Sequence, residues 1–199
     1  LPKLDNDASV SVESESFEYN HKKYDVVLTS PPYGDSRTTV AYGQFSTLSN
    51  EWLGITNARK IDAMLMGGAK LNEIISNGCI ADAINTINDV DKKRALEVSA
   101  FYDDLEKSIN NVALSVKEGG KAIYIVGNRK VKNTELPTDQ FIAEKFETNG
   151  FVHLITYKRL LSNKAMPSRN SPTNVAGKTV NTMLYEYIVV CEKHRGKEG

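Results

Sequence analysis

Residues 24–36 read Tyr24-Asp25-Val26-Val27-Leu28-Thr29-Ser30-Pro31-Pro32-Tyr33-Gly34-Asp35-Ser36, and this order can do chemistry. A small hydroxyl residue stands before two prolines, with an aromatic and a glycine after them. Proline lacks an N–H and fixes φ, so Pro31-Pro32 cannot continue a sheet ladder. The chain must stop pairing where Ser30 is presented, and the turn there is stiff. Ser30 and the adjacent Pro31 carbonyl can accept the two hydrogens of an amino group. Tyr33 offers a ring face for stacking. Such a turn suits a flat, amino-bearing ring.

The elements that must hold this turn follow from the pattern around it. The apolar, β-branched run before Ser30 reads as a buried strand. After the turn, residues 36–45 form a polar and aromatic loop across the mouth of the site, with Arg37 able to meet a phosphate. Tyr42 and Phe45 either line a pocket there or only anchor the loop, and Trp52-Leu53-Gly54-Ile55 reads as its packed end. Residues 56–93 break into short helical pieces at Gly67-Gly68 and Asn77-Gly78. Ile61, Met64 and Leu65, then Leu71, Ile74 and Ile75, then Ile80, Ala83, Ile84 and Ile87 repeat at helical spacing. These pieces are an insertion that reads nucleic acid, grips a partner or simply covers core.

The strongest helix carries Val98, Phe101, Tyr102, Leu105, Ile109, Val112, Ala113 and Val116 as one stripe. Gly119-Gly120 is expected to stop it, and residues 121–127 form the next strand. Helix, glycine, strand implies a parallel sheet. Asn128-Arg129-Lys130-Val131-Lys132 then leaves as a basic loop on the same strand-end face as Ser30, if the two strands are parallel neighbours. In a third unit Thr138 caps a helix with Phe141, Ile142 and Phe146, ended by Asn149-Gly150. Residues 151–157 follow as a strand in which His153 is an ordinary strand side chain. Residues 158–178 carry Lys158, Arg159, Lys164, Arg169 and Lys178 with no acidic residue, either a loop for backbone phosphates or a solvated basic segment. Residues 181–191 form a last strand, able to pair antiparallel with its predecessor at the sheet edge.

The bulk composition sets wide bounds. The chain has 199 residues, 40% of them hydrophobic and 25% charged, with 25 basic and 25 acidic side chains. That suffices for one domain with a core. No apolar run approaches the length of a membrane span. Cys79 and Cys191 lie far apart without metal-site spacing, which argues against a disulfide framework and a zinc site and suits a reducing cytoplasm. Residues 1–20 are acidic and serine-rich, and the chain begins on Leu-Pro without a methionine, as a fragment would.

The Ser30-Pro31-Pro32-Tyr33 turn resembles the signature of the amino-methyltransferases, which move a methyl group from S-adenosylmethionine to an exocyclic nitrogen of a DNA base. The serine form is most similar to the cytosine-N4 members; adenine-N6 members more often carry aspartate or asparagine there. The resemblance implies an α/β, Rossmann-like class I methyltransferase sheet, partial here and mostly parallel with one late antiparallel strand, plus a small helical insertion. It assigns Ser30, Pro31, Pro32 and Tyr33 to catalysis on a flipped base in double-stranded DNA. It places Thr29 and Ser30 against the cofactor. Asp7 either reaches the cofactor adenine or is an exposed carboxylate near a frayed end. Arg37, Arg129, Lys130, Lys158, Arg159, Lys164 and Arg169 are the expected DNA contacts. No metal and no covalent intermediate are needed.

One part of the family pattern is missing. No Phe-x-Gly-x-Gly loop occurs, and Gly67-Gly68 and Gly119-Gly120 read as helix breaks. Residues 1–199 therefore look like one partial catalytic domain, with a helical insertion at 56–93 and a basic loop at 158–180. The donor-binding half is expected before it, after it, or on a second chain. This chain alone is expected to bind the cofactor weakly or not at all and to be inactive. Two other readings stand beside this one: an RNA or adenine-N6 amino-methyltransferase, and a non-catalytic DNA-recognition or scaffold subunit.

Overall fold

A computed structural model describes residues 22–34, 42–57, 60, 66–68, 71–161, 169–170, 180–181 and 184–195. It is an α/β fold built on a four-stranded mixed sheet. The strands are β1 Tyr24–Thr29, β2 Val116–Val126, β5 Phe151–Leu160 and β8 Tyr185–Lys193. Their order across the sheet is β1-β2-β8-β5. β1 and β2 are parallel, while β8 runs antiparallel to both of its neighbours. Three strands thus share one direction and the late strand opposes them. The antiparallel β5–β8 pair forms as expected, with β5 at the edge and β8 inside the sheet.

Four helices are described: α1 Tyr42–Trp52, α2 Ala81–Val90, α3 Lys92–Ser115 and α4 Thr138–Thr148. The stripe on α3 buries Val98, Phe101, Tyr102, Leu105 and Ile109, as its spacing requires. It meets Ile80, Ile84 and Ile87 around α2, and Phe141, Ile142 and Phe146 of α4. Ala122, Tyr124 and Val126 of β2 and Val189 and Cys191 of β8 complete this core. The Tyr102 hydroxyl keeps a partner inside it, the Thr138 hydroxyl at 2.7 Å.

Several expectations change. The strand before Ser30 is not buried: it is a sheet edge among the described residues, with Val26 55% and Leu28 65% exposed. The segment around Phe45 contains a helix rather than a loop, and Trp52 is 96% exposed rather than a packed end. Leu71, Ile74 and Ile75 lie in irregular chain, not a helix, although Ile74 and Ile75 still pack on the core. Ile61, Met64 and Leu65 lie outside the described residues.

Gly119-Gly120 does not stop α3. The helix ends at Ser115, and Val116 is already extended (φ −86°, ψ 134°). Its last carbonyls are taken by two ammonium groups: Lys193 Nζ donates to Ala113 O at 2.6 Å and to Val116 O at 3.1 Å, and Lys23 Nζ donates to Leu114 O. Lysine at a helix C-terminus does what glycine was expected to do. The glycines instead carry an irregularity inside β2, where the register with β1 shifts between Tyr24 and Val26. Gly119 has φ +72°, and a Cβ on Gly120 would lie 2.9 Å from both Asp25 O and Lys117 O. Thr138 is likewise the first helical residue rather than the cap, which is Pro137. The basic loop after β2 folds as a short hairpin, β3 Lys130–Val131 with β4 Thr134–Glu135, turning through Lys132 and Asn133 at φ 49° and 65°.

The sheet registers define two faces. Val27, Ala122, Cys191 and Tyr124 point to the helices, and α3 and α4 pack there. On the other face Leu28, Ile123, Val190 and Ile155 lie in one row across all four strands. Ile125, Ile188 and Tyr157 form the next row. Ile155 and Tyr157 are exposed, and Ile123, Ile125, Ile188 and Val190 are only partly covered.

Candidate functional site

The parallel pairing of β1 with β2 brings Thr29 opposite Tyr124, so Ser30 leaves β1 beside the C-terminal end of β2. β5 ends, and β8 begins, at this same margin, with Arg159 opposite Glu186 and Leu160 opposite Tyr185. Strand ends of one direction gather in this way at one rim of an α/β sheet, where ligands bind. Ser30 is exposed, Pro31 to Tyr33 are half-buried and Gly34 is buried. The turn is therefore seated on the protein with Ser30 at its exposed end.

Tyr33 is held by its phenol, which donates to Glu186 Oε1 at 3.0 Å. Glu186 pairs through its other oxygen with Arg159. Burial pushes the Tyr33 phenol above its ordinary pKa, the Glu186 carboxylate adds to the rise, and Ser30 and Arg159 oppose it. The phenol thus stays protonated at neutral pH. Glu186 escaped the sequence reading; its signal is a carboxylate at the start of β8, just ahead of the apolar run from Tyr187 to Cys191. Only the β5–β8 register shows that it faces Arg159.

The expected DNA contacts are dispersed. Arg159 is 57% exposed and bound to Glu186. Lys158 rests its ammonium 4.1 Å from the ring centre of Tyr185. Lys130, half exposed, faces Glu135 across the β3–β4 hairpin at 4.0 Å. Arg129 folds back onto the helix layer, its guanidinium 5.8 Å from the ring centre of Phe101. Lys132 pairs with Asp91 at 2.9 Å. Arg169 lies in the short strand β6 Arg169–Asn170, paired with β7 Val180–Asn181. Asp7, Arg37 and Lys164 lie outside the described residues.

Other chemistries find little purchase among the described residues. Burial pushes both cysteine thiols up to about 12, with Glu144 adding to the rise at Cys79, so neither offers a thiolate at neutral pH. His153 bonds the Thr156 hydroxyl at 2.8 Å and has no acid beside it. No group of three or more His, Cys, Asp or Glu among the described residues could hold a metal, and no described helix is long and apolar enough to cross a membrane.

The residues present fit only part of a methyl-donor site. The rim offers the hydroxyl and backbone of the Ser30 turn. The Gly119-Gly120 pair lies at the other end of β2, crowded by Asp25 and by Arg195, whose Nε would be 2.9 Å from a Cβ on Gly119.

The chain is 40% identical over 193 residues to the type II methyltransferase M.MvaI of Kocuria varians, a match that takes in 90% of this chain and 42% of that protein. The chain thus spans less than half the length of the curated relative it matches. Among solved structures, it is similar to a DNA modification methylase of Thermus thermophilus, protein TTHA0409, complexed with S-adenosyl-L-methionine, at 21% identity over 50% of this chain and 40% of that one, with a TM-score of 0.35. It is also similar to the M1.HpyAVI–SAM complex, at 19% identity over 48% of this chain and 41% of that one, with a TM-score of 0.29. No family model matches.

Proposed function

We propose that this chain is the base-binding half of a DNA amino-methyltransferase of restriction-modification type, acting on the N4 nitrogen of cytosine. The observation that carries the reading is the Ser30–Tyr33 turn: stiff, seated at the rim of the sheet, with its aromatic held by Glu186. The 40% identity to a type II methyltransferase supports it. The target base leaves the stack, because its amino nitrogen is out of reach inside a duplex. Tyr33 stacks on the ring. Ser30 Oγ and the Pro31 carbonyl accept the amino hydrogens and aim the nitrogen lone pair away from the turn. Catalysis by this half is positioning and electrostatics. Lys158 and Arg159 at the end of β5 supply phosphate contacts beside it, and Lys164 and Arg169 are further candidates for such contacts.

S-adenosyl-L-methionine, held by a companion segment or chain, supplies the methyl group. Three features favour a companion: the likeness to less than half of M.MvaI, the outer edge of β1 unpaired among the described residues, and the apolar rows left open among the described residues on one sheet face. A bare edge and an apolar face are what a second half would pair with and cover. Residues 1–199 then form one partial catalytic domain, with Thr29 toward the donor side and Asp7 a candidate contact to the donor. Calorimetry with this chain alone and S-adenosyl-L-methionine should show no micromolar binding. Micromolar affinity would remove the need for a companion.

A further inference from the structure

Tyr33 is fixed at both of its ends. Pro31-Pro32 stiffen the backbone that carries it, and Glu186 Oε1 accepts from its phenol at 3.0 Å. Glu186 is pinned in turn: its side chain is only 14% exposed, and its other oxygen pairs with Arg159. The β5–β8 register sets Arg159 opposite Glu186, two residues beyond the pair of Tyr157 with Ile188. Alternate residues of a strand share a face, so both side chains lie on the sheet face away from the helices. The phenol end of Tyr33 is drawn to that face, and the ring cannot swing away without breaking the bond to Glu186. A phenylalanine would offer the same ring area for stacking, so the hydroxyl serves this contact rather than the stack. Arg159 is 57% exposed. Its hydrogen bond among the described residues goes to Glu186 from one guanidinium nitrogen, which leaves most of its five N–H donors for another acceptor.

We propose that Glu186 and Arg159 are positioning residues that hold the Tyr33 ring where a base stacks on it, and that Arg159 ties this ring to a backbone phosphate. A ring already immobilised loses less freedom when the base arrives. The guanidinium fork can hold the Glu186 carboxylate and a phosphate oxygen at once, which a lysine ammonium cannot do with the same geometry. The residue that meets the DNA backbone is then the residue that steadies the stacking face. The proposal rests on the base-binding reading of the turn, but the contact itself can be measured without DNA.

The first measurement uses this chain alone, with tyrosine labelled at the phenol carbon and the Tyr33 signal identified by its loss in Tyr33→Phe. Glu186→Ala should move that signal and lower its titration midpoint, because the carboxylate raises it; Arg159→Gln, on an exposed side chain, should raise the midpoint. Circular dichroism checks folding, and Glu186→Gln, of the same size, replaces the alanine variant if that one unfolds. A Tyr33 signal unmoved by loss of Glu186 means that the contact does not form and overturns the proposal. The second measurement uses the assembled enzyme, with kcat and KM for duplex DNA separated. Tyr33→Phe and Glu186→Ala should each raise KM by roughly three- to tenfold, and the double variant should be no worse than either, since both remove one bond. Arg159→Gln should also lower the salt dependence of DNA affinity by about one unit of slope, whereas Arg159→Lys should keep the slope and raise KM as Tyr33→Phe does. Additive losses, or an Arg159→Lys enzyme equal to the unaltered one, overturn the proposal. A Tyr33→Phe enzyme equal to the unaltered one, with Tyr33→Ala still impaired, overturns it while leaving the base-binding reading intact. An unimpaired Tyr33→Ala enzyme overturns that reading and the proposal together.

Discussion

Replacing Ser30 by alanine should lower the turnover of the assembled enzyme by about a hundredfold, the usual loss when one preorganised polar contact to the reacting group is removed. The side chain is exposed at the end of β1 and supports no core, so the fold should survive. In the proposed function its oxygen holds an amino hydrogen in the reacting geometry, so the loss should fall mainly on kcat. Tyr33→Ala should behave differently. Its ring is the proposed stacking face, and losing it should weaken engagement of the target base by about 1–3 kcal/mol. The effect should appear chiefly in KM for DNA. Single-turnover methylation, with the two constants separated, distinguishes these outcomes, and unchanged rates in both variants would contradict the assignment.

The largest expected effect on stability comes from Phe146. Phe146→Ala should destabilise the chain by roughly 3–5 kcal/mol. The ring is fully buried, 5.2 Å edge-on from Tyr124 and 4.9 Å from Phe151. It joins α4 to β2 and to the start of β5, the strands whose far ends form the rim. Both partners are large and stiff, and the cavity could not close without moving the helix. Urea unfolding followed by far-ultraviolet circular dichroism should show a lower midpoint with an unchanged slope. A loss below about 1 kcal/mol would mean that the core collapses around the gap.

The elements that pack were legible in the sequence because they carry periodic apolar stripes. α3, α4, β2, β5 and β8 all fall where the spacing put them, within a few residues. What misled were signals with a second possible cause. Glycine stops helices, but here Lys23 and Lys193 take the carbonyls at the end of α3, and Gly119-Gly120 serves the close approach of β1 to β2 instead. The apolar run of β1 looked buried because its composition is that of a covered strand, yet Val26 and Leu28 stay exposed among the described residues. Trp52 suggested a packed end but stands in solvent. At the site, the Ser30–Tyr33 turn was readable because prolines fix its shape locally. Glu186 was not, since its meaning depends on a contact with Tyr33, far away in sequence, and on the β5–β8 register.

In the proposed function the turn presents a base amino group to a methyl donor held by a companion half. The direct measurement joins this chain with its companion segment, supplies tritiated S-adenosyl-L-methionine and double-stranded DNA, and identifies the labelled nucleoside after digestion. The account predicts label in N4-methylcytosine, dependent on both halves and lost in Ser30→Ala. Label in N6-methyladenine would correct the base and keep the mechanism. An assembly that binds both DNA and the methyl donor yet transfers no label would contradict the account.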